Sequence, residues 1–466
     1  MLRQPEQATT TMQFWASGGA LTAITIIVLL LACEVIARLI PPLRRLGLPL
    51  AILAGAIGLL LGDQALGLLS LDIELLESVV YHGLAIVFIS VSLKAPSEGG
   101  RTAGSRSMAF AIVAMMATQA VVGLGVILAL DSTLHPGFGL LLPMGFEEGP
   151  GQALSMGAAW DDGGLPNGAQ VGLIIAVIGF GWCVLAGVPL VIWGRRKGWA
   201  ARDQSAAGGR EAETITVPQP EPGSLDTLTT QAAVVGLCYL LTWALCTGLA
   251  RALASMPDLA AMVWGFHFIF GAAVAMAMRP LLARLPGGTP VDDRTMGRVG
   301  GFTVDVITCA ALSAVQIAVL RSHWLPIVLV TTLGGLWTLV FAMWMARRAW
   351  TEAPFEHAVL WFGMSTGTLP TGLALLKVVD PDMRSPAAVS AVFGSAGSVI
   401  GVGPLLMGLV PMTVAAYGGD WPGRGWLMLG ALVGYSIVVI GLWRAFGGLR
   451  FRGPLLSMWP DLEEPG

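Results

Sequence analysis

Charge is what this chain has least of. Only 12% of its 466 residues are Asp, Glu, Lys or Arg, against about 25% in an ordinary soluble domain. A surface built to face water is therefore excluded, and no nucleic-acid partner is expected. Cysteine is sparse as well. Cys33, Cys183, Cys238, Cys246 and Cys309 all sit in apolar runs and none forms a CxxC pair, which argues for small buried side chains rather than a disulfide framework or metal centre. The LLAC at 30–33 has the look of a lipoprotein cleavage box, but the apolar run continues past it, so a spanning helix is expected there. Enzyme motifs are missing too: there is no HExxH and no GxxxxGK[ST]. The GMSTG at 363–367 fits GxSxG, yet that elbow needs a strand-to-helix turn in a soluble sheet, and with 61 glycines a chance match is expected. The chain reads as neither an enzyme nor a holder of a resident cofactor.

What is abundant is apolar sequence. Hydrophobic residues make up 55% of the chain and mean hydropathy is +0.75. Many apolar runs reach the roughly 18 residues that a membrane crossing needs. The fold class is thus an all-α polytopic membrane protein, with several of its 16 tryptophans near span ends, as interfacial anchors would be.

After a polar tail, 1–17, spans are predicted at 18–40, 47–62, 79–93, 108–130 and 169–193, with an interrupted stretch at 138–160. Residues 194–229 are basic, then rich in Pro, Glu and Thr, and read as a cytoplasmic linker. Spans then recur at 230–253, 260–278, 301–320, 325–346 and 387–412, with an interrupted stretch at 355–376. Almost every boundary of the second set follows the first at an offset of about 218 residues, which carries Gly149 onto Gly367. A last span, 425–443, within a C-terminal piece at 413–466, has no counterpart. Each repeat (18–193 and 230–412) holds five crossings plus one re-entrant hairpin. Five is odd, so the second repeat enters the membrane inverted, the plan of many secondary transporters. Placing the N-terminus outside and the C-terminus inside leaves only four of 26 basic residues outside, Arg3, Arg251, Arg321 and Arg424, as the positive-inside rule requires. The two hairpins then dip in from opposite faces.

The interrupted stretches hold the chemistry. The first, GFEEGPGQALSMGAAW at 145–160, places Glu147 and Glu148 beside Gly149-Pro150-Gly151. The second is MSTGTLPTGLALL at 364–376. Acids and broken backbone at membrane depth are tolerated where protein walls off a polar cavity. Broken helices expose N–H groups that favour anions and carbonyls that favour cations. Glycines admit a ligand to the backbone, and Pro150 and Pro370 suit the first turn of an emerging helix.

These two stretches carry a resemblance. GPGQA at 149–153 is similar to the glycine-rich GHGTG-type hairpin tip of the bacterial sodium–glutamate symporter family, and GTLPT at 367–371 to its GATPT-type tip. GLPLAILAG at 47–55 and MATQAVVGLG at 116–125, with Gln119 at a family glutamine, extend the likeness over roughly residues 20–412. Where the family has a histidine, this chain has Pro150. Glu147 and Glu148 replace small residues, and Leu375 replaces an asparagine. The resemblance implies a distant, elevator-type symporter in a bacterial cytoplasmic membrane, usually a homodimer, carrying a small anionic substrate such as glutamate with sodium. The acids keep a proton open as the coupling ion.

The candidate substrate-binding residues are Gly149, Gly151, Gln152, Gly367, Thr368, Pro370 and Thr371; the alternative is close helix packing through small residues. Glu147, Glu148 and Asp305 are the candidates for binding a coupling cation or proton, against helix capping or a wet hairpin mouth. No other metal is expected. Gln119 either lines the cavity or joins two helices. Glu34 and Arg38, four apart, are expected to pair within their helix. Glu356 and His357 are expected at a solvated mouth. A membrane enzyme, an accessory subunit and a passive channel are the competing classes.

Overall fold

The structure, a computed structural model, describes residues 18–40, 49–94, 103–161, 163–200, 225–255, 260, 263–286, 289–381, 385–417, 421–451 and 457–459. The tail at 1–17 and most of the linker lie outside them. The described residues form helices and no named strand. In chain order these are α1 (Gly18–Leu39), α2 (Leu50–Leu61), α3 (Ile73–Leu93), α4 (Ala103–Leu130), α5 (Gly137–Pro143), α6 (Pro150–Ala159) and α7 (Gly168–Arg196). They continue as α8 (Thr227–Ala252), α9 (His267–Leu282), α10 (Asp293–Ser313), α11 (Ile317–Ser322), α12 (Trp324–Ala349), α13 (Pro354–Met364), α14 (Leu369–Val379), α15 (Ala387–Ala415) and α16 (Trp421–Leu442).

Eight of these are long and apolar enough to cross a membrane: α1, α3, α4, α7, α8, α12, α15 and α16. The shorter α2 and α9 are apolar as well. Twelve residues of α2 rise only about 18 Å, well short of a hydrocarbon core about 30 Å thick. The protein is a multi-pass membrane protein.

Two groups of helices pack internally. One is α1, α2, α3, α8, α9 and α10; the other is α4 to α7 with α12 to α16. The seam between them runs chiefly along α6 against α3 and α10, and along α7 against α10, while α11 packs on α7 and α12. The second group is held tightly by small residues. A Cβ on Gly123 of α4 would lie 2.1 Å from the Gly139 carbonyl of α5, so only glycine lets these backbones approach. The C-terminal α16 joins this group: Trp443 is fully buried, donates to the Ser107 hydroxyl at 2.9 Å, and meets Trp350 and Trp361 edge to face. Its other face leaves Leu427 and Ile437 about two-thirds exposed, as a lipid-facing helix should.

Proline shapes the helices. Pro143 ends α5 in a π turn, Met144–Glu148, because a residue without an N–H breaks the regular ladder. In α7 the π turn Cys183–Gly187 comes just before Pro189, and in α15 the π turn Leu405–Leu409 comes just before Pro411. Other expectations shift. The third span starts at Ile73, where Asp72 caps the helix by accepting from the Leu75 N–H at 3.1 Å. The span expected at 301–320 is two helices, α10 and α11. A side chain from α7 fills the break: Gln170 donates to the Ala314 carbonyl at 3.0 Å and accepts from the Gln316 N–H at 2.8 Å. Glu34 and Arg38 pair at 2.8 Å as expected.

Candidate functional site

Both interrupted stretches fold as two helical arms with a turn between them, and the two turns touch. The first hairpin runs α5, π turn, Gly149, α6. Gly149 sits at φ +89° and ψ −174°, a conformation open in practice only to glycine. A Cβ there would also lie 2.6 Å from Cγ2 of Thr368, at the tip of the second hairpin. Pro150 then begins α6 at a position that needs no N–H.

The second hairpin runs α13, the turn 365–367, α14. Thr368 and Thr371 form a reciprocal cap at the start of α14. The Thr371 hydroxyl accepts from the Thr368 N–H at 2.8 Å and reaches the Gly363 and Thr368 carbonyls at 2.7 Å each. It closes the hairpin by joining one arm to the other, so its capacity is used internally. Gly367 packs against this hydroxyl and Phe180 of α7. Pro370 is exposed.

Glu147 is buried, at 8% exposure, and neither of its carboxylate oxygens has a hydrogen-bond partner among the described residues. Glu148 is half-buried and accepts from Gln152 Nε2 at 2.5 Å. Gln152 itself is buried and its amide oxygen has no partner. Gly151 lies against Leu84 of α3, where a Cβ would come within 2.8 Å; this places the first tip at the seam between the helix groups. A crevice of about 300 Å³ opens along the same seam, lined by Glu74, Glu77, Tyr81, His82, Leu154 and Ala158.

The structure thus brings together Glu147, Glu148, Gly149, Gly151, Gln152, Gly367, Thr368 and Thr371. Asp305 is not among them: it lies on the exposed face of α10, one turn from exposed Phe302. Glu356 and His357 depart from the expected solvated mouth. Both are buried, because Trp350 stacks on His357 at 4.8 Å and Ser390 of α15 meets its Nε2 at 3.1 Å.

Gln119 resolves to a central position. Its Nε2 donates to the Thr338 hydroxyl and to the Ser365 carbonyl, each at 2.9 Å, tying α4 and α12 to the second tip. Ser365 and Thr338 were not legible as site residues, since their partners lie far away in sequence. Gln170 was missed for the same reason.

A sequence model of the sodium/glutamate symporter family matches residues 18–384. The chain belongs to that family. It is accordingly a transporter rather than an enzyme, and sodium and a glutamate-class substrate are the family's ligands. A search of curated proteins found no match. The match places both helical hairpins inside the family region, with all of α15 and α16 beyond it.

Proposed function

We propose that the chain is a cation-coupled secondary transporter for a small carboxylate or amino acid such as glutamate. Substrate and ion bind where the two hairpin tips meet. The observation that carries this reading is the contact of Gly149 with Thr368, because it joins two broken helices at a buried, partly unsatisfied polar centre. The N-terminal ends of α6 and α14 offer N–H groups to a carboxylate. Gly149, Gly151, Gln152, Gly367, Thr368 and Pro370 line that side, while Thr371 keeps its tip in shape. Glu147 and Glu148 form the ion side. Two acids beside an anionic substrate require a compensating cation or proton, and this requirement is the coupling. Asp305 stays outside the site.

The two halves, 18–193 and 230–412, are inverted repeats joined by the linker 194–229, with 413–466 added. The protein lies in a bacterial cytoplasmic membrane as a homodimer, N-terminus outside and C-terminus inside. Alternating access moves the group bearing the hairpins, α4 to α7 and α12 to α16, along the seam against α1 to α3 and α8 to α10. The test is uptake by proteoliposomes of purified protein, screened over small carboxylates and amino acids. A solute that accumulates only under an imposed sodium or proton gradient is the expected result. Flux that only equilibrates the solute would make the protein a passive channel, and no flux of any solute would refute transport.

A further inference from the structure

The family match ends at residue 384, yet the chain continues through α15 and α16 and then folds back over the base of the second hairpin. After α16 a π turn, Trp443–Gly447, leads to Gly448 at φ +84°. The chain then turns so that the Arg450 N–H donates to the Arg348 carbonyl at the end of α12, at 2.9 Å. Further on, the buried Arg348 guanidinium donates to the Ser457 carbonyl at 3.0 Å while lying 4.5 Å from the Trp344 ring centre. Trp459 stacks on Trp199 at 4.8 Å and meets Phe355 edge to face at 6.0 Å. The Arg347 guanidinium lies 5.5 Å from its ring centre.

The same place anchors both arms of the hairpin. Phe355, in the first turn of α13, is fully buried and packs so closely on Gly194 of α7 that a Cβ there has no room. Arg195, beside it, donates to the Val378 carbonyl near the end of α14 at 3.2 Å. Trp199 joins Trp193 and Phe355, at 4.6 and 6.1 Å. Ala353, just before α13, is held at φ +45° and ψ +51°, a left-handed conformation that is costly for a residue with a Cβ. Such strain persists only where the surroundings hold it, and Trp459 completes those surroundings.

We propose that residues 449–451 and 457–459 are a strap clamping the base of the second hairpin, and that loosening Trp459 lets the second tip lift from the first. α13 has 11 residues and makes a rigid arm about 16 Å long, so a rotation of about 10° at Ala353 carries its tip about 3 Å. That is enough to part Thr368 from Gly149. None of the strap's partners named above lies on α1 to α3 or α8 to α10, so it controls the hairpin without locking the seam. The inference rests on the transport reading for what lifting accomplishes, which is release of bound solute on the side of this base. Its test reads the tips directly.

Ser365 is fully buried at the second tip, and Ser90, equally buried, lies on α3 in the other helix group. The five native cysteines are buried as well. Purified full chain carrying Ser365→Cys or Ser90→Cys is labelled with a maleimide, alone and combined with Trp459→Ala or Trp459→Phe; the same chains without the added cysteine set the background. Trp459→Ala is expected to raise the labelling rate at position 365 about tenfold and leave position 90 unchanged. Trp459→Phe keeps an aromatic face for Trp199 and is expected to return most of the way to wild type. An unchanged rate at position 365 overturns the proposal, as does an equal rise at both positions, which is general loosening of the fold. Uptake separates the two claims. The expected labelling without uptake of any solute keeps the strap and removes the transporter, whereas uptake with labelling indifferent to Trp459 keeps the transporter and removes the strap.

Discussion

Gly149→Ala is the substitution that probes the tip contact most sharply. Two independent penalties arise. The backbone at φ +89° and ψ −174° strains any residue with a Cβ by about 1–3 kcal/mol. The added methyl would also lie 2.6 Å from Thr368 Cγ2, where carbon atoms prefer about 3.5–4.0 Å, an overlap costing about 1–3 kcal/mol. The sum is about 2–6 kcal/mol, relieved in part if the tips separate. Thermal unfolding of purified protein is the assay, and at this chain length the midpoint falls on the order of 1 °C per kcal/mol. The two penalties can be separated. Thr368→Ser deletes the obstructing methyl and keeps the hydroxyl that caps α14, so the double variant recovers the overlap share and retains the dihedral share. A single Gly149→Ala variant that melts with wild type, or a double variant no better than the single, would refute the reasoning.

Three further outcomes are expected. Gln170→Ala removes hydrogen bonds to Glu77, the Ala314 carbonyl and the Gln316 N–H; leaving these groups unpaired costs about 1–3 kcal/mol each, and hydrogen exchange should show faster opening at 314–316. Thr371→Val keeps the shape of the side chain but removes the hydroxyl closing the second hairpin, costing about 0.5–2 kcal/mol as a lost cap, read as a lower thermal midpoint. Asp292 caps α10 by accepting from the Thr295 N–H at 2.7 Å, and these bonds pull its carboxyl below the ordinary value. That stabilisation is full above the ordinary carboxylate value and is lost as pH falls through the lowered one, so Asp292→Ala should be less stable than wild type at pH 7 and converge with it in strong acid.

Long apolar runs made α1, α4, α7, α8, α12 and α15 legible in the sequence, because a lipid solvent imposes one composition on a spanning helix. The hairpins were legible from Gly149, Pro150, Gly367 and Pro370, whose backbone preferences are local. What distance in sequence hides was not legible. The break between α10 and α11 carries no glycine or proline and exists because Gln170, on another helix, supplies its missing hydrogen bonds. Gln119 looked ambiguous because its role depends on Ser365 and Thr338. His357 looked exposed because the hydroxyl that meets its Nε2, Ser390, lies on α15, distant in sequence. Asp305, singled out as an acid within an apolar run, lies on an exposed face of α10.

The central claim is that both tips form one site that opens to one side of the membrane at a time. The five native cysteines are buried, so Pro370→Cys at the exposed edge of the second tip can be labelled selectively with a membrane-impermeant maleimide in sealed vesicles of either orientation. Labelling from one face is predicted, with sodium plus a transported substrate slowing it there and raising it from the opposite face. Equal labelling from both faces at once, or rates indifferent to sodium and substrate, would contradict the account.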